Sequence, residues 1–399
     1  MAHHLPTRRE VLQSGSVAVA VAVANMSLPD FVFPGEQENE EHVPFMNVEP
    51  VKPNRLDWSA LHEWITPQDQ VFNVEHYGVP EIDANHFRLE VTGLVDRPQS
   101  FTLEELQRLP KQNRLMTLEC SGNGASPRFI NAIYNSKWTG TPLAPILRQC
   151  GVQPGAKEIV FICLDQGKET LRKKTLAEES VEEVAVEVPF GRSMSVDDAL
   201  SLNLLLAYER NGVPLETRNG APLRLIVPGW YGIANVKWLT RVEVRGTRYM
   251  GRFMARDYVT VRGEKRGDEI VYAQTSVNRM NLKSIIARVT RRPTEDGMIP
   301  TKAYGAVWSD GTDVQKIEVQ VDNGPWQASI LDQEPRNKFC WTFFSCDLGT
   351  LSPGQHTVVS RAIDVNGRVQ PSAKDDEIAL KKTYWEAYQQ WPREIELEA

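Results

Sequence analysis

The chain has 399 residues, 41% hydrophobic and 24% charged, room for roughly two or three globular domains. Its formal net charge of −7 argues against a nucleic-acid binder, which would carry a basic face. The cysteines Cys120, Cys150, Cys163, Cys340 and Cys346 include no C-x-x-C pair, which excludes a zinc ribbon, a thioredoxin-type couple and c-type haem attachment.

In chain order, the first feature is Thr7-Arg8-Arg9, followed by an apolar run from Ser16 to Ala24. Paired arginines ahead of a modest apolar stretch read as a twin-arginine export signal, with Ala22-Val23-Ala24 as its cleavage site. The run falls short of the ~20 apolar residues of a membrane span. Residues 1–24 are therefore expected to direct export to the periplasm, with no membrane span. Residues 25–53 are polar and acidic and read as a linker or surface-wrapping arm.

Residues 54–275 are expected to form an α+β domain. Phe87 to Val91 alternates like a strand and turns at Thr92-Gly93. Thr102 caps a short helix, with Glu105 as its capping-box partner. Leu115 to Leu118 is a strand running into Cys120. Thr141 to Gln149 reads as a helix stopped before Gly151. Leu204 to Tyr208, Leu223 to Val227 and Val236 to Val244 read as strands. From about Ser284 the texture changes to short apolar or alternating segments separated by Asp-Gly, Asn-Gly and Pro-Gly turns, which predicts a β-sandwich over 276–399. The boundary falls in the polar stretch between Arg266 and Asn281. Lys381 to Trp391 is aromatic-rich, with a helical reading open to it. Cys340 and Cys346 lie too far apart along one strand to bridge. No internal repeat of roughly 20 to 50 residues is visible.

Three clusters carry chemistry. Cys120 ends a strand and enters Ser121-Gly122-Asn123-Gly124, a backbone that admits a bulky ligand closely; soft thiolates suit transition metals. A small buried residue beside a turn has the same appearance. Asn219 to Gly232, with Asn235-Val236-Lys237-Trp238, sets Arg224 and Lys237 about a Gly- and aromatic-rich turn that can hold a phosphate; a hairpin with solvated cations fits equally well. Arg256-Asp257-Tyr258 offers a proton or hydrogen-bond donor, or a surface tripeptide.

Taken in order, these segments resemble the sulfite oxidase family of molybdenum enzymes. Leu118-Glu119-Cys120-Ser121-Gly122-Asn123 resembles the family's cysteine segment, and Trp138-Thr139-Gly140-Thr141-Pro142-Leu143 the W-x-G-x-x-L after it. Leu205 to Gly212 and Pro222 to Trp238 resemble its most distinctive stretch. Arg256-Asp257-Tyr258 falls where its active-site tyrosine sits. Ala362-Ile363-Asp364 and Val369-Gln370-Pro371 resemble its dimerisation domain. The resemblance implies a molybdopterin-binding α+β domain followed by an immunoglobulin-like dimerisation domain, hence a homodimer. It implies that Cys120 gives its thiolate to molybdenum, and that His76, Asp165, Ser193, Asn219, Arg224 and Lys237 contact the pterin or its phosphate. Tyr258 would lie beside the metal, with Asp257 orienting it. The twin-arginine route exports folded proteins, which suits a chain that must first bind such a cofactor.

The expected reaction is oxidation of sulfite to sulfate. With no haem signature present, electrons are expected to pass to an external cytochrome c. The pattern departs at two points. Where the family commonly has Arg two residues before its histidine, this chain has Val74, and a second basic position is Ala125. Arg128 falls near a pocket tryptophan of the family and is the candidate to restore that charge. Lys381 and Lys382 lie near a C-terminal basic position. These departures open the alternatives of a sulfane dehydrogenase, or a sulfoxide or nitrate reductase. A non-catalytic exported scaffold is the reading of another class.

Overall fold

The computed structural model describes residues 33, 36, 40–61, 63–126, 129–174, 181–292, 294, 299–332 and 337–398. The export signal at 1–24 and Arg128 lie outside them. Among the described residues no helix is long and apolar enough to cross a membrane.

Sheet dominates, and two sheets build the first domain. One runs in the order Arg224–Ile226, Leu205–Arg210, Ile133–Pro142, Gln112–Glu119, all antiparallel. The other runs Gln99–Phe101, Leu89–Gly93, Leu239–Arg245, Glu158–Lys174, Val181–Ser195, with its second and third strands parallel. The helices are short. Leu103–Arg108 carries the expected capping box of Thr102 and Glu105, whose reciprocal bonds satisfy two otherwise orphaned N–H groups. Leu143–Cys150 ends at Gly151 with φ 74°, a left-handed position that glycine takes without strain. Thr141, expected in that helix, belongs to the preceding strand.

The stretch Arg266 to Asn281, expected as a polar boundary, holds the second half of a hairpin, Val259–Arg266 with Glu269–Ser276. Its polarity is that of a ribbon exposed on both faces, so no apolar alternation marks it. Two antiparallel sheets follow and share one core that includes Ile286, Val289, Ile317, Phe344 and Val358. One contains Lys283–Arg291, Ile299–Trp308 and Thr342–Leu351; the other contains Val314–Val321, Gly354–Asp364 and Arg393–Leu397. The arm adds Glu41–Val43 to the edge of the first sheet and packs Phe33 against Phe343.

The stretch Lys381 to Trp391 is irregular; a short helix, Asp376–Ala379, ends just before it. Its backbone groups bond outward instead of to each other. Glu386 N donates to the Ser121 carbonyl at 2.8 Å and Gln390 N to that of Pro371 at 2.8 Å. The C-terminal segment therefore lies across the cysteine turn of the first domain.

Candidate active site

The strand Gln112–Glu119 delivers Cys120 to the wall of a cavity with about 660 Å³ of empty space. Cys120 N donates to the Ala132 carbonyl at 2.9 Å, and Asn123 N closes the turn on the Cys120 carbonyl at 2.9 Å. Its half-buried thiol is pushed up in pKa by burial. Among the described residues the other four cysteines are buried free thiols.

Behind this loop, Glu119 is fully buried. It accepts from Lys283 Nζ at 2.5 Å, Asn123 Nδ2 at 2.9 Å and Trp308 Nε1 at 2.9 Å. Lys283 and Trp308 belong to the sandwich, so the second domain holds the back of the cysteine turn.

Tyr258 and His76 occupy one side of the cavity, with the Tyr258 hydroxyl 2.7 Å from His76 Nε2. Burial, then the Lys237 charge, pushes His76 down to about 4, so the ring is neutral at neutral pH. Burial raises the Tyr258 phenol. The Tyr258 ring stacks on Trp385 at 4.2 Å and 25°. Asp257 does not meet the Tyr258 hydroxyl: it pairs with Arg252 Nε at 2.6 Å, and His76 takes the orienting role.

Arg224 and Lys237 line the same cavity. Arg224 donates to the Asn219 carbonyl at 2.9 Å and the Asn235 carbonyl at 2.7 Å, and lies 4.9 Å from the Trp138 ring centre. Its Nε, like Ser121 Oγ, is buried without a hydrogen-bond partner among the described residues. Gly220 at φ 102° keeps this end open, since a Cβ there would meet Arg224 and Lys237 at 3.1 Å. Lys237 Nζ donates to Asn73 Oδ1 at 2.9 Å and lies 3.9 Å from Glu75. Burial, then Arg224, pushes Lys237 down to about 8. Asp165 lines the cavity too, raised to about 6 by burial.

Some of the expected residues stand apart. Ser193 does not line the cavity; its hydroxyl donates to Glu158 Oε1 at 3.0 Å. Asn219 lines a neighbouring cavity, with Nδ2 on Glu216 Oε2 at 3.0 Å. Lys381 turns Nζ to the Trp385 carbonyl at 2.5 Å and does not line the cavity. Val74 and Glu75 do line it. Sequence reasoning missed Trp385 and Lys283. The aromatic run Tyr384-Trp385 was the available signal for the first; the second reads as an ordinary strand residue.

Among the described residues no three His, Cys, Asp or Glu side chains converge as a metal site. A metal at Cys120 would thus need most of its ligands from a bound organic group. The residues fit a molybdopterin: a soft thiol opens on the cavity, Arg224 Nε and Ser121 Oγ lack partners among the described residues, and the cations Arg224 and Lys237 line the same cavity, the charges a phosphate calls for.

The class that follows is a molybdopterin-dependent oxidoreductase. Residues 76–253 match the family described as "Oxidoreductase molybdopterin binding domain", and residues 274–385 the "Mo-co oxidoreductase dimerisation domain". Across both matched domains the chain is similar to the sulfite oxidase family. It is 27% identical to a sulfite oxidase of Arabidopsis thaliana over 348 residues, covering 78% of this chain and 84% of that one. It is 27% identical to that of Gallus gallus over 398 residues, covering 93% and 82%. The solved sulfane dehydrogenase SoxCD of Paracoccus pantotrophus shares its fold, with a TM-score of 0.69 at 23% identity over 96% of this chain and 100% of that one.

Proposed function

We propose that the chain is an exported, periplasmic molybdenum oxidoreductase that oxidises sulfite to sulfate and hands its electrons to an external cytochrome c. The observation that carries this reading is one cavity with the Cys120 thiol and the Tyr258–His76 pair on its walls, and with Arg224 and Lys237 lining it as well. When bound, the cofactor supplies two-electron oxygen-atom transfer. Cys120 would be its protein ligand, and Arg224 and Lys237 would hold its phosphate. The Tyr258 hydroxyl, aligned by neutral His76, presents a hydrogen bond to the substrate's oxygen. Asp165, its carboxyl raised by burial, would face the pterin from the same wall. The sandwich, read as immunoglobulin-like, would pair two chains into a homodimer.

A second reading, oxidation of a sulfane sulfur, is favoured by Val74. It stands on the cavity wall where the resemblance expects an arginine, with the acidic Glu75 beside it. A small oxyanion gains from positive charge placed before it arrives; a neutral sulfur does not need it. The test is sulfite-dependent reduction of cytochrome c by protein confirmed to hold molybdenum. Rapid reduction supports sulfite. Metal-loaded protein that leaves the cytochrome oxidised overturns it in favour of the sulfane reading.

A further inference from the structure

A second cavity, sharing no lining residue with the first, has about 1070 Å³ of empty space. The arm over residues 42–51, the segment 56–59 entering the first domain, and sandwich residues Arg288 and Arg393 line it. Phe45, Leu56, Trp58 and Ile130 give it apolar walls. Arg393 opens the strand Arg393–Leu397, whose other inward positions are Ile395 and Leu397. Strand alternation therefore turns a guanidinium to the core side, where it is 2% exposed.

Arg393 Nε donates to the Ile286 carbonyl at 3.0 Å, and the Phe45 ring centre lies 4.9 Å from the guanidinium. Its two Nη atoms have no protein acceptor among the described residues, and no carboxylate pairs with it there. Burial alone pushes its pKa down, to about 9. The charges around it are already engaged, the cavity-lining Glu49 among them. Arg288 pairs with Glu36 at 2.6 Å, and His42 stands 3.6 Å from the same carboxylate. Asp57 Oδ1 accepts from Ser59 N at 2.9 Å and Ser59 Oγ at 2.6 Å.

We propose that this cavity binds a small carboxylate with an apolar body. The head would take a bidentate bond from the Arg393 Nη atoms, whose planar fork matches a carboxylate. The body would lie against Phe45, Trp58 and Ile130. A buried charge without a partner is destabilising, and a carboxylate head is the complement it lacks. The apolar walls favour a tail over bare phosphate, which would leave its remaining oxygens unbonded.

The probe is hexanoate, titrated calorimetrically into the full-length protein beside acetate and inorganic phosphate. Binding should be tightest for hexanoate, at one per chain. Arg393→Lys, which keeps the charge and loses the fork, should weaken it by about tenfold; Arg393→Met should abolish it. Should Arg393→Met fail to fold, the lysine variant still decides the matter. Absence of hexanoate heat at millimolar concentration overturns the proposal, as does equal affinity in the methionine variant, or phosphate binding more tightly than hexanoate. Loss of dimers in Arg393→Met, with no carboxylate bound by the wild type, overturns it in favour of a second copy filling the cavity. The outcome does not depend on molybdenum or on the reading of the catalytic site.

Discussion

Tyr258 carries two contacts that a single substitution separates. Its hydroxyl meets His76, and its ring stacks on Trp385. Tyr258→Phe keeps the stack and removes the hydroxyl. We expect kcat/KM to fall by about 100-fold, the scale of a positioned proton or hydrogen-bond donor. The factor should be the same at about pH 6 and about pH 8. His76, pushed down to about 4, is already neutral above that value, and the phenol, raised above its usual value, stays protonated throughout. Steady-state kinetics at both pH values check this, and an unchanged kcat/KM would remove Tyr258 from the reaction. Much of this site was legible one residue at a time. Cys120, Arg224, Lys237 and Tyr258 each sit in a local run of turn, glycine or charge that marks them. Trp385 does not, because an aromatic residue in a sequence is most often core, and only the folded chain lays it on Tyr258. Ser193 shows the reverse: its position matched, yet Glu158 engages its hydroxyl.

At the scale of elements, the strand that delivers Cys120 depends on one from the other domain. Lys283 on Lys283–Arg291 and Glu119 on Gln112–Glu119 form an ion pair that is 3% and 0% exposed. Removing one partner of a buried pair leaves an uncompensated charge and costs about 3–5 kcal/mol. Lys283→Met should lower thermal stability accordingly and reduce the molybdenum retained per chain, since Glu119 also bonds Asn123 in the cysteine turn. Adding Glu119→Gln to it should recover part of the loss, because the neutral amide leaves no charge unpaired and keeps an oxygen for the Trp308 indole N–H, though it gives up the bond that Asn123 Nδ2 donates. Melting curves of the two variants decide this; equal loss in both would mean that the pair acts by packing alone. The long-range partner, 164 residues away, leaves no local trace. Capped helices and turns were legible because their signals lie within four residues. The hairpin Val259–Ser276 was not, since its second strand is exposed on both faces and shows no apolar period.

For the whole molecule, the sequence changes texture at about Ser284, yet the two sides do not stand alone. Trp58 of the first domain stacks on Trp308 of the sandwich at 5.8 Å and 14°, and meets Trp341 at 5.5 Å. All three are buried, and one hydrophobic core runs through both domains. The C-terminal segment then returns to cover the cysteine turn, placing Tyr384 and Trp385 within 4 Å of where a Gly122 Cβ would stand. Local pattern finds where two sheets differ, but the surface they share is written in pairs far apart in sequence. A chain ending at Ser276 would expose Trp58 to water, remove the Lys283 partner of Glu119 and open the cavity beside Tyr258. Burying each such aromatic is worth about 1.5–3 kcal/mol, a large part of a domain's net stability of about 5–15 kcal/mol. The truncated protein should therefore collect in the insoluble fraction, and any soluble portion should hold little molybdenum. Metal content per chain, measured beside the full-length protein, is the check. A soluble fragment with full molybdenum content would mean that the first domain closes its site alone and that the sandwich serves pairing only.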